Sequence, residues 1–268
     1  MKFPALKTYA IVYLIFLYAP IMLLPIFAFN DSKVIAFPLS GFTTAWFSQM
    51  WEDELLFRAV KNSAIIAVSS AVLATCLGVF GARATTRFRF PAKAGIMGLI
   101  MLPMVLPEMI ISMSMLVILL GIGIPLSLFT IIMGHVLITT PFAVAILSSA
   151  FQSLDKSLEE AAYDLGETPL STFRLIILPL VMPGIVSSLL ICFTISIDEF
   201  IIAYFLGGNQ TVLSVYIYGQ FRFPAKVPSI LALGTILVGL SILLLTIAEY
   251  FRRRGIARTG GKDTGGFL

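Results

Sequence analysis

Charge is scarce in this 268-residue chain: 12% of its residues are Asp, Glu, Lys or Arg, against 59% hydrophobic. The apolar residues fall in long runs rather than on one face of each helix, so a bilayer is the natural solvent and no soluble fold is needed to explain them. Cysteine is nearly absent. Cys76 and Cys192 both sit inside apolar runs, and nothing in their spacing forces a pair, so disulfides carry no part of the architecture. The single histidine, His135, stands beside Gly134 without Cys, Asp or Glu at ligand spacing. A metal centre therefore finds no support, and a helix-to-helix hydrogen bond is the expected role. No nucleophile is placed near a base. No G-x-x-x-x-G-K-[ST] phosphate loop exists either. The nearest approach, Gly260-Gly261-Lys262-Asp263, lacks the leading glycine and has Asp where the Mg²⁺-binding hydroxyl belongs. Basic residues form no stripe interleaved with exposed aromatics, so nucleic acid is not an expected partner.

What the chain has is length enough for repeated membrane crossings. At about 20 residues per spanning helix, six spans are predicted: 9–29, 61–82, 95–121, 126–150, 180–206 and 229–250. The third contains Pro103, Pro107 and Gly121, which favours a kinked or tilted helix over one straight rod. The first follows Lys2 and Lys7 as a signal peptide would, but its apolar run continues through Pro20 and Pro25 with no small-x-small cleavage site before Asn30-Asp31. It is expected to remain as a helix.

Orientation follows from the basic residues, which collect in cytoplasmic loops near span ends. With the N-terminus inside, the cytoplasmic side holds Lys2, Lys7, Arg83, Arg87, Arg89, Lys93, Lys156, Arg174, Arg252, Arg253, Arg254, Arg258 and Lys262, 13 of the 18 basic residues. Both termini are then cytoplasmic. Arg83 to Lys93 reads as a basic loop in contact with lipid headgroups, with contact to a cytoplasmic partner as the alternative. The outer loops are too short for an extracellular domain. In the first, Trp46 and Trp51 flank a short stretch that Thr43 or Thr44 could cap, a candidate interfacial helix with the tryptophans as membrane anchors.

Between spans four and five lies a polar, amphipathic insert, 151–178. Leu154, Leu158, Ala161 or Ala162, and Leu165 recur at helical spacing, while Asp155, Lys156, Glu159, Glu160 and Asp164 take the other faces. Ser157 with Glu160 could form a capping box, and Gly166 permits a sharp turn. Thr168 then caps a second helix with Pro169 at its first position, and Pro179 marks the start of the next span. Two short helices with a glycine between them make a knob that a soluble partner could grip; a plain solvated connector is the alternative.

The spacing Glu160-Ala161-Ala162, three residues, Gly166, nine residues, Ile176-x-Leu178-Pro179 resembles the cytoplasmic coupling loop of permease subunits of bacterial ATP-binding-cassette importers. The resemblance covers nearly the whole chain. It is strongest to the second permease of spermidine/putrescine importers, through Tyr18-Ala19-Pro20, Phe29-Asn30-Asp31-Ser32-Lys33, Gly41 to Phe47, and Phe193-Thr194-Ile195-Ser196-Ile197-Asp198-Glu199. In the last segment Glu199 stands where the family form has a second aspartate.

The resemblance implies an all-α membrane protein of the type I importer permease fold: one transmembrane permease domain over 1–268 with six helices, in the bacterial inner membrane. It implies half of a translocation pore, a second permease as partner, an external substrate-binding protein, and a dimeric cytoplasmic ATPase that binds ATP and Mg²⁺. This chain itself would be no enzyme and hold no cofactor. Glu160, Ala161, Ala162, Asp164, Gly166, Ile176, Leu178 and Pro179 would couple to the ATPase, which would also be the partner in the alternative contact of Arg83 to Lys93.

Three acids lie inside predicted spans: Glu108, Asp198 and Glu199. Each is costly there and is expected to face protein, water or a ligand. Asp198 and Glu199 are adjacent, so on one continuous helix they would point about 100° apart. No Lys or Arg inside a span neutralises them. They suit a polyamine, whose ammonium groups need carboxylates or aromatic faces, and Tyr204, Tyr216 and Tyr218 could add such faces. Helix packing against a partner permease is the alternative role for the acids. Other solutes of related importers, such as a quaternary amine, an amino-acid derivative, sulfate or iron, are the substrate alternatives. An ion-coupled secondary transporter would also explain buried acids, but it usually carries internal repeats, and none is convincing here.

Overall fold

The computed structural model describes residues 4–259, and their regular structure is helical apart from one isolated bridge between Asn30 and Phe42. In chain order the helices are α1 (Pro4–Ala28), α2 (Ala45–Trp51), α3 (Glu54–Arg87), α4 (Lys93–Met101), α5 (Glu108–Gly121), α6 (Leu128–Gln152), α7 (Ser157–Asp164), α8 (Pro169–Thr172), α9 (Leu178–Asp198), α10 (Ile201–Leu206), α11 (Leu213–Gln220) and α12 (Val227–Thr259). Lys2 and the Gly260-Gly261-Lys262-Asp263 stretch lie outside the described residues.

Five helical stretches are long and apolar enough to cross a membrane: Leu6–Ala28, Glu54–Arg87, Leu128–Gln152, Pro169–Asp198 and Pro224–Leu243. The pair Lys93–Met104 and Glu108–Gly121, which meet at a bend of 103°, makes a sixth when the two are counted as one broken span. The chain is an all-α membrane protein, as composition requires.

The third span is broken rather than kinked. Pro103 and Pro107 lack N–H groups, and Pro107 takes an extended ψ of 129°, so the ladder stops at a 3-10 turn over Leu102–Met104 and restarts at Glu108. The fifth span also departs from 180–206. It begins at Pro169, because α8 runs through a π turn, Phe173–Ile177, straight into α9. Pro179 offers no N–H and crowds the carbonyl four residues back; widening by one turn lets the helix continue past it. The same span ends at Asp198, where Glu199 is extended (φ −68°, ψ 121°), and α10 starts afresh.

The chain divides into two compact units, Met1–Glu54 with Ile217–Leu268, and Leu55–Tyr216. In the first, α12 packs against both α1 and α2. Trp46 is buried here with Ala28 and Ala232, and its indole N–H donates to the Asn30 carbonyl at 2.7 Å. The expected short helix exists, and the Thr43 hydroxyl accepts from Ala45 N–H at its start. Trp46, however, is a core residue, and only Trp51 faces outward.

In the second unit α6 lies along α9, and α10 packs against α5 and α6. Their shared core includes Ile66, Ile111, Ile131, Ile138, Ile202 and Leu206. Gly78 is where α3 meets α6: a Cβ there would lie 2.7 Å from that of Ala143. Polar ties cross this interior. His135 Nδ1 meets Ser196 Oγ at 2.7 Å, and the Thr75 and Ser188 hydroxyls meet at 3.1 Å. The histidine thus makes a helix-to-helix contact.

Candidate functional site

The polar insert folds as a short helix, a tight turn and the first turn of the next span. At its start the expected capping box is replaced: Asp155 Oδ1 accepts from Ser157 N–H at 2.9 Å. Asp155 precedes that amide by two residues, the reach of an Asx turn, and so satisfies it before Ser157 and Glu160 can. Hydrogen bonds from Ser157 hold the Asp155 carboxyl below the usual carboxylate range.

The far end of α7 is closed by a Schellman motif. Gly166 N–H donates to Tyr163 O at 2.9 Å, and Glu167 N–H to Ala162 O at 3.0 Å. This geometry needs a left-handed residue at the turn, and Gly166 sits at φ +85°. Thr168 Oγ1 then accepts from Ser171 N–H at 3.2 Å, with Pro169 opening α8.

Burial divides these residues in a way that hydrophobic periodicity does not. Glu160, Ala161, Asp164, Gly166 and Pro179 are exposed, Ile176 and Leu178 are half-buried, and Ala162 is buried. Leu158 points outward, and Leu165 and Leu170 at the tip are 86% and 76% exposed. The inward positions are Ala162 and Glu159.

Glu159 is the residue that sequence reasoning missed. Its Oε1 accepts from Arg87 Nε at 2.7 Å, and its Oε2 from Arg83 Nη2 at 3.3 Å. Arg87 Nη2 also donates to Leu154 O at 3.0 Å, and the Arg83 guanidinium lies 4.9 Å over the Phe173 ring. Both arginines belong to the last turns of α3, not to a lipid-facing loop. The signal available was their i, i+4 spacing, which puts two cations on one helical face.

Among the intramembrane acids, the helix breaks decide the arrangement. Glu108 is the first residue of α5 and is exposed. Asp198 is the last residue of α9 and is exposed, while Glu199 is buried in the link to α10. Because the helix ends between them, the 100° relation of a continuous helix does not apply. Glu199 Oε1 accepts from Ile202 N–H at 2.9 Å, capping α10, and its carbonyl accepts from Ser214 Oγ at 3.0 Å. Helix α5, which Glu108 opens, packs on α10, whose first turn Glu199 caps. Each of two broken spans thus carries an acid at its break. Tyr204 is exposed beside Phe200, with ring centroids 5.4 Å apart, while Tyr216 is buried and Tyr218 faces the Arg222 guanidinium.

Residues 74–256 match the family described as binding-protein-dependent transport system inner membrane component. The chain is 36% identical over 247 residues to the putrescine transport system permease protein PotI of Escherichia coli K12, covering 89% of this chain and 87% of that protein. It is 32% identical over 239 residues to the spermidine/putrescine transport system permease protein PotC of the same organism, covering 89% and 90%. In fold it is similar to a chain of a bacterial ABC transporter that imports the acidic polysaccharide alginate, with a TM-score of 0.72 and 16% identity over 94% of this chain and 99% of that one. It is similar also to a chain of the inward-facing MetNI methionine ABC transporter, with a TM-score of 0.60 and 18% identity over 78% and 98%. With six crossings, a complete loop motif between the fourth and fifth, and relatives matched along most of its length, the chain belongs to the binding-protein-dependent transport system inner membrane component family, as an ABC importer permease.

Proposed function

We propose that this chain forms half of the translocation pore of a polyamine importer, pairs with a similar second permease, receives substrate from an external binding protein, and is worked by two ATPase subunits that bind ATP and Mg²⁺. The loop over 151–178 then faces the cytoplasm and seats on an ATPase through Glu160, Ala161, Asp164 and the exposed Leu165 and Leu170. Both chain ends lie on that same side, in keeping with the distribution of Lys and Arg. The chain would hydrolyse nothing itself: it transmits work.

The placement of Glu108 and Glu199 at breaks of two helices that pack together, with Asp198 adjoining, supports the substrate class. No Lys or Arg occurs between Lys93 and Lys156, or between Arg174 and Arg222, so no basic residue of these stretches neutralises the acids. Breaks within spans expose backbone carbonyls as well as side chains, and carbonyls and carboxylates are what an ammonium group needs after losing water. Tyr204 and Phe200 add aromatic faces next to Glu199. Relatives named for putrescine and for spermidine/putrescine transport support the same class.

The test is reconstitution of the chain with its co-encoded partners in liposomes, comparing uptake of putrescine, spermidine and a non-amine solute. Polyamine uptake that needs both ATP and the binding protein is the expected result. ATP-dependent uptake of the non-amine alone would keep the architecture and discard the polyamine, and uptake indifferent to ATP would discard the importer.

A further inference from the structure

The two arginines at the end of α3 touch every segment that bounds the polar loop. Arg87 holds Leu154, just after α6 ends. Arg87 and Arg83 together hold Glu159 on α7, one on each carboxylate oxygen. Arg83 lies over Phe173, where the π turn leads into α9. Beneath them Ala82 of α3 joins Leu147, Phe151, Ile177 and Val181 in one buried cluster, with Leu154 and Phe173 packed against it. The loop is thus fastened to α3 at its base, while the residues of its tip, Leu165 to Leu170, are exposed.

Helix α3 is a long lever. From Arg83 to Asn62 is 21 residues, about 30 Å of helix. Near its other end, Asn62 Nδ2 donates to Thr211 O at 2.9 Å, and Ser63 Oγ accepts from Leu213 N–H at 2.8 Å. That segment directly follows α10, whose start Glu199 caps. One helix therefore connects the base of the loop to the neighbourhood of the intramembrane acids.

We propose that Arg83, Arg87 and Glu159 are positioning residues for transport: their paired hydrogen bonds make loop and α3 move as one body, so that force applied at the loop tip reaches the acid-bearing breaks. This rests on the importer reading above. The geometry suits such a task better than apolar packing alone would, because a carboxylate gripped at both oxygens resists sliding as well as separation. Glu159 and not Glu160 is the residue concerned, since Glu160 is exposed.

The measurement is solute moved per ATP hydrolysed in the reconstituted complex, for the unmodified chain, Glu159→Gln, Glu159→Asp, and the exchanged pair Arg87→Glu with Glu159→Arg. A ratio, unlike total uptake, does not change when less complex assembles. The expected result is a ratio lowered roughly tenfold in Glu159→Gln and partly recovered in the exchanged pair. An unchanged ratio in Glu159→Gln overturns the proposal. So does failure of both Glu159→Gln and Glu159→Asp to assemble, which would make the pair a requirement of folding. If the unmodified chain itself shows no ATP-dependent uptake, it is the importer reading that fails.

Discussion

Arg87 donates through Nε to Glu159 at 2.7 Å across 72 residues of sequence, and Arg83 takes the carboxylate's other oxygen. All three side chains are largely buried, between 9% and 16% exposed. Removing the acid alone, in Glu159→Ala, leaves two guanidiniums facing each other without a counter-charge, a change expected to cost about 3 kcal/mol. Replacing Arg83, Arg87 and Glu159 together with leucine should cost less than Glu159→Ala, because unpaired charges are worse than an apolar cluster. Hydrogen exchange of amides 154–168 measures both: protection should fall most in the single variant, and equal protection in the two would contradict the charge argument.

Gly166 makes a sharper test of the loop, because nothing lies within 4 Å of a Cβ built on it. Only backbone conformation constrains the position. Gly166→Asn should therefore be tolerated, asparagine being at ease at positive φ, whereas Gly166→Val should lose about 1–2 kcal/mol and open the turn. The readout is solute uptake by the two variants at matched amounts of complex. Equal uptake would show that the Schellman turn is not needed for coupling.

Helix identity and membrane residence were legible because they depend on composition and run length, and the loop motif because it depends on spacing. The breaks were only half legible. Pro103 and Pro107 announced trouble in the third span, but no proline or glycine marks the stop at Ile197-Asp198-Glu199-Phe200, where the Glu199 carbonyl accepts from Ser214, 15 residues away. Of the loop's acids, Glu159 turns inward and Glu160 outward, a choice made by the arginines of α3. Periodicity could not see it and assigned Leu158 and Leu165 to the buried face instead. Nor could it see that α3 outlasts its apolar run: Thr85 and Thr86 return their hydroxyls to the carbonyls of Gly81 and Ala82 at 2.8 Å, and the helix carries both arginines with it.

Gly134 gives the strongest packing prediction in the second unit. A Cβ there would fall 2.5 Å from Ile202 Cγ2 and 2.9 Å from Leu206 Cδ1, both fully buried. Gly134→Val must therefore displace Ile202 and Leu206 of α10, at a cost of about 1–3 kcal/mol. Since α10 begins at the Glu199 cap, that cap should be disturbed too. The check is the amount of assembled complex after detergent extraction, expected to drop, while Gly98→Ala, at a position with open space around it, serves as the tolerated control.

The acids themselves can be separated by what else each one does. Asp198 is exposed at the end of α9, and no hydrogen-bonding duty would be lost with its charge in Asp198→Asn beyond what an amide can replace. Glu199 is buried and caps α10 through one oxygen. Glu199→Gln keeps an acceptor for the Ile202 N–H and removes only the charge, while Glu199→Ala removes the cap as well, worth about 1 kcal/mol. If the acids receive an ammonium group, Asp198→Asn and Glu199→Gln should each lower polyamine uptake about tenfold with assembly intact, the loss of one charge-assisted contact. Glu199→Ala should lower uptake and stability together. If both charge-only variants transport polyamine normally, neither acid contacts the solute, and Glu199 is then a helix cap alone.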